Sequence, residues 1–317
     1  MSYPRNYEKY PDNVLEPRQE EIRDEIYTIY GFKFKGLQDF YDFLKKNPDI
    51  NYEVWDRRNI ESVENDYDFA GEPYDEAVEK LMRDMDPGYQ EYLQVQKNIR
   101  AKLSRTHEYK PIKTIAGGVI DPVAYTTGSP TIYRASRLVS KPKFITIDTQ
   151  IAYNCGTSKK QVFNRALIIT NLIRALERNG YNVDVNSFMM AEKNGEIIQA
   201  LFEIKQHGAR TNYQTLYKSL VDVEFFRRLC FRIMEISDVK EYWPSGYGHP
   251  CGERMVRDVL HLKKDDIYFS QPCDMGIRGR DIGEDFESAI ISLNLQNSID
   301  IPKEKEILRE SVKVLKR

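Results

Sequence analysis

Three charged side chains in two neighbouring predicted strands have the types and spacing that metal-dependent phosphodiester cleavage requires. Asp184 lies in one strand, and Glu203 and Lys205 lie two residues apart in the next. Two carboxylates can bind Mg²⁺, and a lysine can stabilise charge on the scissile phosphate. Strand alternation predicts that Glu203 and Lys205 share one face. The same pattern is common on the solvent side of an ordinary strand, and no proline precedes Asp184, so a nuclease is our alternative interpretation.

Arginine side chains form a second group, because arginine binds phosphate through parallel hydrogen bonds. They are Arg227, Arg228 and Arg232 on one predicted helix, and Arg278 and Arg280 in the Gly-rich segment MGIRGRDIG. On one shared exposed face these residues would predict an anion or RNA site. We favour the simpler interpretation, in which they pair with nearby acids such as Glu224 and Glu235.

A third group of side chains could bind zinc. Its members are His249, Cys251, His261 and Cys273. Structural zinc sites prefer closely spaced Cys pairs, and His249-x-Cys251 is too tight to be typical. A nucleophilic pair of Cys251 with a histidine has no family-specific surrounding sequence. We therefore predict no metal site and no cofactor, and Mg²⁺ enters only with the nuclease alternative.

The composition bounds the class of protein. The chain has 317 residues, of which 30% are charged, and a net charge of −2, so it can bury a core but has no global attraction to nucleic acid or anionic membrane. The start MSYPRNYEKYPDN lacks a signal-peptide core, and no apolar run has the length of a membrane span. We expect a cytoplasmic protein with free thiols and no membrane partner. The 21 tyrosines suit packing and also contact surfaces.

The elements that must position these side chains are clearest in the middle of the chain. Lys143–Asp148 is typical of a buried strand, and a helix follows it after the capping box Ser158-x-x-Gln161. Tyr181–Phe188 and Ile197–Lys205 are strands joined by the hairpin signal Lys193–Asn194–Gly195. A second capping box, Thr211-x-x-Gln214, opens another long helix. This order predicts an open mixed α/β sheet with helices on its faces.

By composition, the whole chain divides into four regions. Residues 1–110 form a mainly helical N-terminal region, in which 1–30 are an arm or a loosely packed helix. Residues 111–142 are an ordered connector, rich in Gly, Pro, Ser and Thr, with one short strand at Val119–Tyr125. Residues 143–300 form the α/β domain, and residues 301–317 form a charged C-terminal tail.

The central segment resembles two groups of proteins. The run FITIDTQIAYNC, followed by a capped helix, a strand and a hairpin strand, resembles the opening of von Willebrand factor A-type domains. The phrase RALIITNLIRALERNGYNVDV and the later helix FFRRLCFRIME are similar to a group of uncharacterised bacteriophage proteins. Metal-binding von Willebrand A-type domains carry Asp-x-Ser-x-Ser after the first strand, whereas Asp148, Gln150 and Ala152 stand here. Both hydroxyl ligands are absent, so the resemblance implies binding of a macromolecule at the loop end of the sheet without a metal.

Together these observations predict a non-enzymatic, phage-type binding protein, either an inhibitor of a host defence complex or a component of a phage assembly. Its expected location is the host cell cytoplasm, and its expected partner is a protein, with nucleic acid and self-association left open. The expected binding residues are Asp148, Gln150, Arg227, Arg228, Arg278 and Arg280. The alternatives are a metal-dependent nuclease of the PD-(D/E)xK type, acting through Asp184, Glu203 and Lys205, and an RNA-binding protein.

Overall fold

The computed structural model describes residues 13–46, 72–83, 87–102, 109–116, 118–138, 143–154, 156–236, 250–262, 266–270, 280–297 and 299–313. In chain order the strands are β1 (Arg18–Ile22), β2 (Glu25–Phe34), β3 (Tyr109–Thr114), β4 (Val119–Ile120), β5 (Tyr133–Leu138), β6 (Lys143–Gln150), β7 (Tyr181–Lys193), β8 (Glu196–Lys205) and β9 (Ile267–Phe269). The helices are α1 (Leu37–Lys46), α2 (Tyr74–Leu81), α3 (Pro87–Lys102), α4 (Pro122–Thr126), α5 (Lys159–Arg178), α6 (Tyr213–Leu220), a π-helix (Phe225–Cys230), α7 (Phe231–Ile236), α8 (Glu253–Val259), α9 (Ile282–Ser292) and α10 (Ile301–Lys313).

A six-stranded mixed sheet forms the centre of the fold, in the order β1-β2-β8-β7-β6-β9. Strand β6 is parallel to β7 and to β9, and β7 is antiparallel to β8. Strand β2 is parallel to β8, and β1 closes the edge antiparallel to β2. Helices cover this sheet, so the predicted α/β fold with an open mixed sheet is confirmed.

Helix α5 connects β6 to β7 because its two ends are marked in the sequence. The Ser158 hydroxyl accepts from the Gln161 backbone N–H, and the Gln161 side chain accepts from the Ser158 N–H, which confirms the predicted capping box. Asn179 is the C-cap, and Gly180 follows it with a φ of 82°. This left-handed conformation favours glycine and ends the helix.

The hairpin between β7 and β8 is also set by local sequence. Asn194 and Gly195 have φ values of 51° and 80°. Positive φ at both central residues matches the right-handed twist of the flanking strands, and Asn-Gly is the pair that adopts it most easily. The predicted hairpin is therefore confirmed.

Alternation along β7 separates two apolar layers. Val183, Val185 and Met189 belong to the larger cluster, which includes side chains of α5, α6 and the π-helix. Phe188 and Met190 belong to a smaller cluster, which includes side chains of α8. Both faces of the sheet are thus covered over part of their area.

The prediction of an arm or loose helix within residues 1–30 is wrong for the described part. Strands β1 and β2 begin there, and Ile29, Phe32 and Phe34 are buried in the sheet. The charged sequence Arg18–Ile22 is compatible with a strand because β1 lies at the sheet edge, where charged side chains reach solvent. Helices α1, α2 and α3 lie within the N-terminal region that the sequence predicted to be mainly helical.

The predicted connector contains a small sheet in the order β3-β5-β4, and α4 lies between β4 and β5 in the chain. We call residues 109–116 and 118–138, which contain β3, β4, α4 and β5, the small sheet. The expected strand Val119–Tyr125 is wrong beyond Ile120 because Asp121 caps a helix that starts at Pro122. Proline is favoured in the first helical turn, where its missing N–H has no intrahelical partner in any case.

The charged segment predicted as a C-terminal tail forms α10 over Ile301–Lys313, and its Glu304 is buried against Asn171 and Arg178 of α5. Two other expectations in the C-terminal half, the second capping box and the long helix after it, are wrong. The N-cap of α6 is Asn212, which accepts from the N–H groups of Gln214 and Thr215, so the second predicted capping box does not form. The long helix expected after it ends at Leu220 and is followed by the π-helix.

Candidate functional site

The structure does not bring Asp184, Glu203 and Lys205 together. Glu203 forms an ion pair with Lys33 of β2 at 2.7 Å, and Lys205 forms one with Glu177 of α5 at 3.0 Å. Asp184 accepts from the backbone N–H of His207 at 2.5 Å and contacts the His207 ring at 3.0 Å. Across the described ranges, no group of three His, Cys, Asp or Glu side chains could hold a metal ion. The described geometry therefore lends no support to the nuclease alternative.

A β-bulge is the reason that the same-face expectation for Glu203 and Lys205 is wrong. Asn186 pairs with Glu203, whereas the preceding Val185 pairs with Lys205, so Ile204 is an extra residue on β8. An extra residue shifts the alternation of the strand by one position. Lys205 therefore lies on the face of the sheet that α5 covers, where it also donates to the Val183 carbonyl at 2.9 Å.

Arg227 and Arg228 are buried in the interior of the π-helix region. Arg227 donates to the Asn154 carbonyl at 2.9 Å and lies over the Tyr153 ring at 4.5 Å. Arg228 donates to the Glu72 carbonyl at 2.9 Å. Both side chains hold backbone segments in place, so they do not form the exposed basic face that RNA binding would need.

The expected acidic partner of these arginines, Glu224, pairs with Lys80 at 2.8 Å. The Glu235 side chain and Arg278 lie outside the described residues. Arg280 forms an ion pair with Asp285 at 3.1 Å and donates to Ser288 at 3.1 Å. Pairing with a local acid is thus observed for Arg280, although the acid is not one that the sequence suggested.

Asp148 and Gln150 lie at the carboxyl end of β6 and point into the protein. Asp148 is 4% exposed and accepts from the Asn186 amide at 2.9 Å. Burial, more than any other cause, raises the pKa of Asp148 to about 6. Gln150 is fully buried, and neither polar atom of its amide has a hydrogen-bond partner within the described structure. Neither side chain is available at the surface for the predicted contact with a partner.

Arg165 of α5 links the strands at this end of the sheet. The sequence patterns did not predict this role. The Arg165 guanidinium donates to the Thr149 hydroxyl at 2.6 Å, to the Gln150 carbonyl at 2.8 Å and to the Phe269 carbonyl at 3.1 Å. These bonds link the ends of β6 and β9. A charged side chain buried in a core is inconspicuous in a sequence, since only its partners distinguish it from a surface arginine.

The remaining cysteine and histidine candidates do not form a reactive site in the described part of the chain. The backbone N–H of Cys251 donates to the Met190 carbonyl of β7 at 3.4 Å, and burial raises the pKa of the Cys251 thiol to about 12. A raised pKa leaves little thiolate at neutral pH, which disfavours nucleophilic chemistry. His261 is exposed and lies 3.5 Å from Glu20. His249, Cys155 and Cys273 lie outside the described residues.

Five exposed apolar side chains lie close together in the chain, between residues 115 and 125. Ile115 is 75% exposed and Val119 is 74% exposed. Ile120, Val123 and Tyr125 are each more than half exposed. Sequence analysis missed this surface because the segment has no strand or helix periodicity. The available signal was a set of large apolar residues within a Gly-, Pro- and Thr-rich stretch.

Asp121 holds the exposed residues of α4 in place. Its carboxylate accepts from the N–H groups of Val123 and Ala124 and pairs with Arg134 of β5 at 2.8 Å. The hydrogen bond from Arg134 is the largest cause that lowers the pKa of Asp121 from its ordinary value. The residue stays ionised at neutral pH and fixes α4 against β5, with Val123 and Tyr125 facing solvent.

Comparisons with known proteins give one family and no function. No curated protein and no solved structure matches the chain. Among the helices that the structure describes, none has the length and apolar character needed to cross a membrane. Residues 2–297 match a family model described as "Domain of unknown function (DUF7192)". The match spans most of the chain, and the protein therefore belongs to the DUF7192 family.

Proposed function

We propose that this protein acts by binding a protein partner through the exposed apolar side chains of the small sheet, without catalysing a reaction. The observation that carries the proposal is the grouping of Ile115, Val119, Ile120, Val123 and Tyr125, all more than half exposed, within eleven residues of the chain. Scattered exposed apolar residues are ordinary, whereas a group of this kind is typical of an interaction site.

The energetics favour a protein over a nucleic acid at this surface. Burying one such side chain against an apolar partner contributes about 1.5–3 kcal/mol. Two or three such side chains would together contribute about 3–9 kcal/mol, which is the scale of the few residues that dominate known interfaces. Arg134 at this surface pairs with Asp121, so its guanidinium is held by a carboxylate and is less available to a phosphate.

Side-chain packing, not the addition of a strand at an edge of the small sheet, suits this role. Strand β3 lies at one edge and contains Pro111, which cannot donate a backbone hydrogen bond to an added strand. Strand β4 lies at the other edge and has only two residues. Both features disfavour pairing with a further strand, and they leave side-chain packing as the mode of binding.

The resemblances in the sequence support a more specific version of the proposal. The chain order β6, α5, β7, β8 and α6, with β8 antiparallel to β7, is the order of elements that resembles the opening of a von Willebrand A-type domain. The similarity of RALIITNLIRALERNGYNVDV to bacteriophage proteins suggests a phage-encoded protein in the host cytoplasm. Inhibition of a host defence complex and a part in phage assembly are two roles that act through protein binding.

The experiment is to recover the tagged full-length protein from its native host and identify co-purifying material by mass spectrometry, with and without nuclease treatment. We expect a stoichiometric protein partner that survives the nuclease. Recovery of nucleic acid alone, or of the tagged protein alone, would overturn the proposal.

A further inference from the structure

The charge of the small sheet is opposite in sign to the charge of the whole chain. The small sheet contains one acidic residue, Asp121, and four basic residues, namely Lys110, Lys113, Arg134 and Arg137. Its net charge is therefore +3, whereas the net charge of the whole chain is −2, so the remainder of the chain carries −5. A local excess of positive charge attracts negatively charged partners.

The acidic group of this region is buried, while basic groups reach solvent. The Asp121 side chain is 2% exposed, and its carboxylate is held by Arg134 and by two backbone N–H groups of α4. The Arg134 side chain is 59% exposed. Lys113 is also exposed, and it has no acidic partner among the described residues. A partner that approaches this surface therefore meets cationic and apolar groups before it meets a carboxylate.

The basic and the apolar residues adjoin, because Lys113, Arg134 and Val119 lie in one row across the three strands. Arg134 of β5 pairs in register with Lys113 of β3 on one side and with Val119 of β4 on the other. Residues that pair directly across neighbouring strands lie on the same face of the sheet. Val119 is 74% exposed and belongs to the proposed binding surface. One partner can thus contact both kinds of group.

The pairing of Lys113 with Arg134 places two like charges directly opposite each other, which destabilises an antiparallel pair of strands. Asp121 offsets part of this repulsion through its ion pair with Arg134. A carboxylate supplied by a partner at Lys113 would offset the rest. Binding of an acidic group is therefore favoured at this row, and binding of a further basic group is disfavoured.

The apolar residues indicate which kind of anionic partner fits. Four of the five exposed apolar residues between 115 and 125 are aliphatic, and only Tyr125 has an aromatic ring. Surfaces that bind single-stranded nucleic acid stack the bases on aromatic side chains. Aliphatic side chains instead gain stability from burial against other apolar side chains. This composition favours an acidic protein over a nucleic acid.

We infer that the small sheet binds an acidic protein segment, in which apolar side chains are flanked by Asp or Glu. The apolar side chains of the segment pack on Val119 and its exposed neighbours. A carboxylate of the segment lies at Lys113, where Arg134 adds to the positive potential. The inference rests on the proposed function and adds the chemistry of the partner.

The test is selection of peptides from a displayed random library on the immobilised full-length protein. Wild type is compared with Lys113→Glu, with Val119→Ser/Val123→Ser, and with the control Lys97→Glu, which makes the same charge change at an exposed position on α3. We expect wild type and Lys97→Glu to enrich peptides that combine several apolar residues with an excess of Asp and Glu. Lys113→Glu should enrich peptides with a smaller acidic excess, and the double variant should enrich none of them.

The affinity of the most enriched peptide, synthesised with a fluorescent label, gives the magnitude. Lys113→Glu should weaken binding about ten-fold because a repulsive charge replaces an attractive one, and added salt should weaken binding to wild type. Lys97→Glu should leave the affinity unchanged. Since Lys113 is exposed and lies opposite Arg134, a glutamate at this position gains a basic cross-strand neighbour, and the variant should fold.

The outcomes separate this inference from the proposed function. Selection that depends on Val119 and Val123 but shows no acidic excess, or equal affinity of wild type and Lys113→Glu, would overturn the inference and leave the proposed function standing. Failure of wild type to enrich any peptide relative to the double variant would overturn both. Binding of single-stranded oligothymidine that is lost in Lys113→Glu and kept in the double variant would assign the basic row to nucleic acid and also overturn the inference.

Discussion

Replacing Asp148 by asparagine should stabilise the protein at neutral pH and lose that effect in acid. Burial raises the pKa of Asp148 from 3.8 to about 6 in the folded protein. The folded state therefore binds this proton more tightly than the unfolded state does. The protonated form contributes its full stability below pH 3.8, and that contribution is lost as the pH rises to about 6.

The magnitude follows from the shift of about two pKa units. At about 1.4 kcal/mol per unit, ionised Asp148 lowers the free energy of unfolding by about 3 kcal/mol at pH 7.5. Asparagine removes the charge and keeps the oxygen that accepts from Asn186. Its new N–H₂ group lacks an assured acceptor, which costs about 1–2 kcal/mol. The net expectation for Asp148→Asn is a gain of about 1–2 kcal/mol at pH 7.5.

The assay is urea unfolding followed by circular dichroism at pH 7.5 and pH 4.5. The control is Asp42→Asn, the same chemical change at an exposed position on α1. We expect Asp148→Asn to raise the urea midpoint at pH 7.5 and to show a smaller gain, or a loss, at pH 4.5. An equal effect at both pH values, or a loss at pH 7.5, would refute the reasoning from burial.

Three further predictions concern stability and activity. Glu304→Ala should lower the free energy of unfolding by about 2–4 kcal/mol because it removes the buried carboxylate that pairs with Arg178. The control Glu306→Ala, at an exposed position, should change the free energy of unfolding by less than about 0.5 kcal/mol. Equal effects of the two variants in urea unfolding would contradict this prediction. Gly195→Ala should cost about 1 kcal/mol, since φ is 80° there, and a neutral result in the same assay would argue against the turn. Wild-type protein should cleave DNA with Mg²⁺ no faster than Asp184→Ala does, and a gel assay showing cleavage lost in that variant would restore the nuclease alternative.

Local signals in the sequence were sufficient for the centre of the fold. The capping pair Ser158 and Gln161 and the turn at Asn194 and Gly195 each act within a few residues. Such features depend on backbone geometry and side-chain reach over one helical turn or one hairpin. They are therefore visible without knowledge of the remaining chain.

Features that depend on distant residues could not be predicted. Strand β2 is placed by pairing with β8, and Lys33 meets Glu203 across a separation of 170 residues. The bulge that separates Glu203 from Lys205 arises from the pairing with Val185 and Asn186, not from the sequence of β8 alone. The pairing of distant strands therefore determines both the strand structure of the N-terminal segment and the separation of Glu203 from Lys205.

The candidate surface was hidden for a different reason. Exposure of Val119 and Tyr125 depends on what packs against them, and a pattern of residue types does not contain that information. Asp148 shows the converse case, because an acidic residue predicted to contact a partner is buried beneath the loop end of the sheet. The site could not be predicted from the sequence mainly because residue types do not show which side chains are buried and which are exposed.

The central claim is that a protein partner binds the exposed apolar side chains of the small sheet. The most direct measurement is quantitative mass spectrometry of proteins co-purifying with wild type, with Val119→Ser/Val123→Ser, and with Ile26→Ser, all after nuclease treatment. Ile26 is the matched control, since it is 69% exposed but lies on β2. We predict a stoichiometric partner with wild type and Ile26→Ser and at least about a ten-fold lower recovery with the double variant. Equal recovery with all three proteins would contradict the assignment of the small sheet as the binding surface.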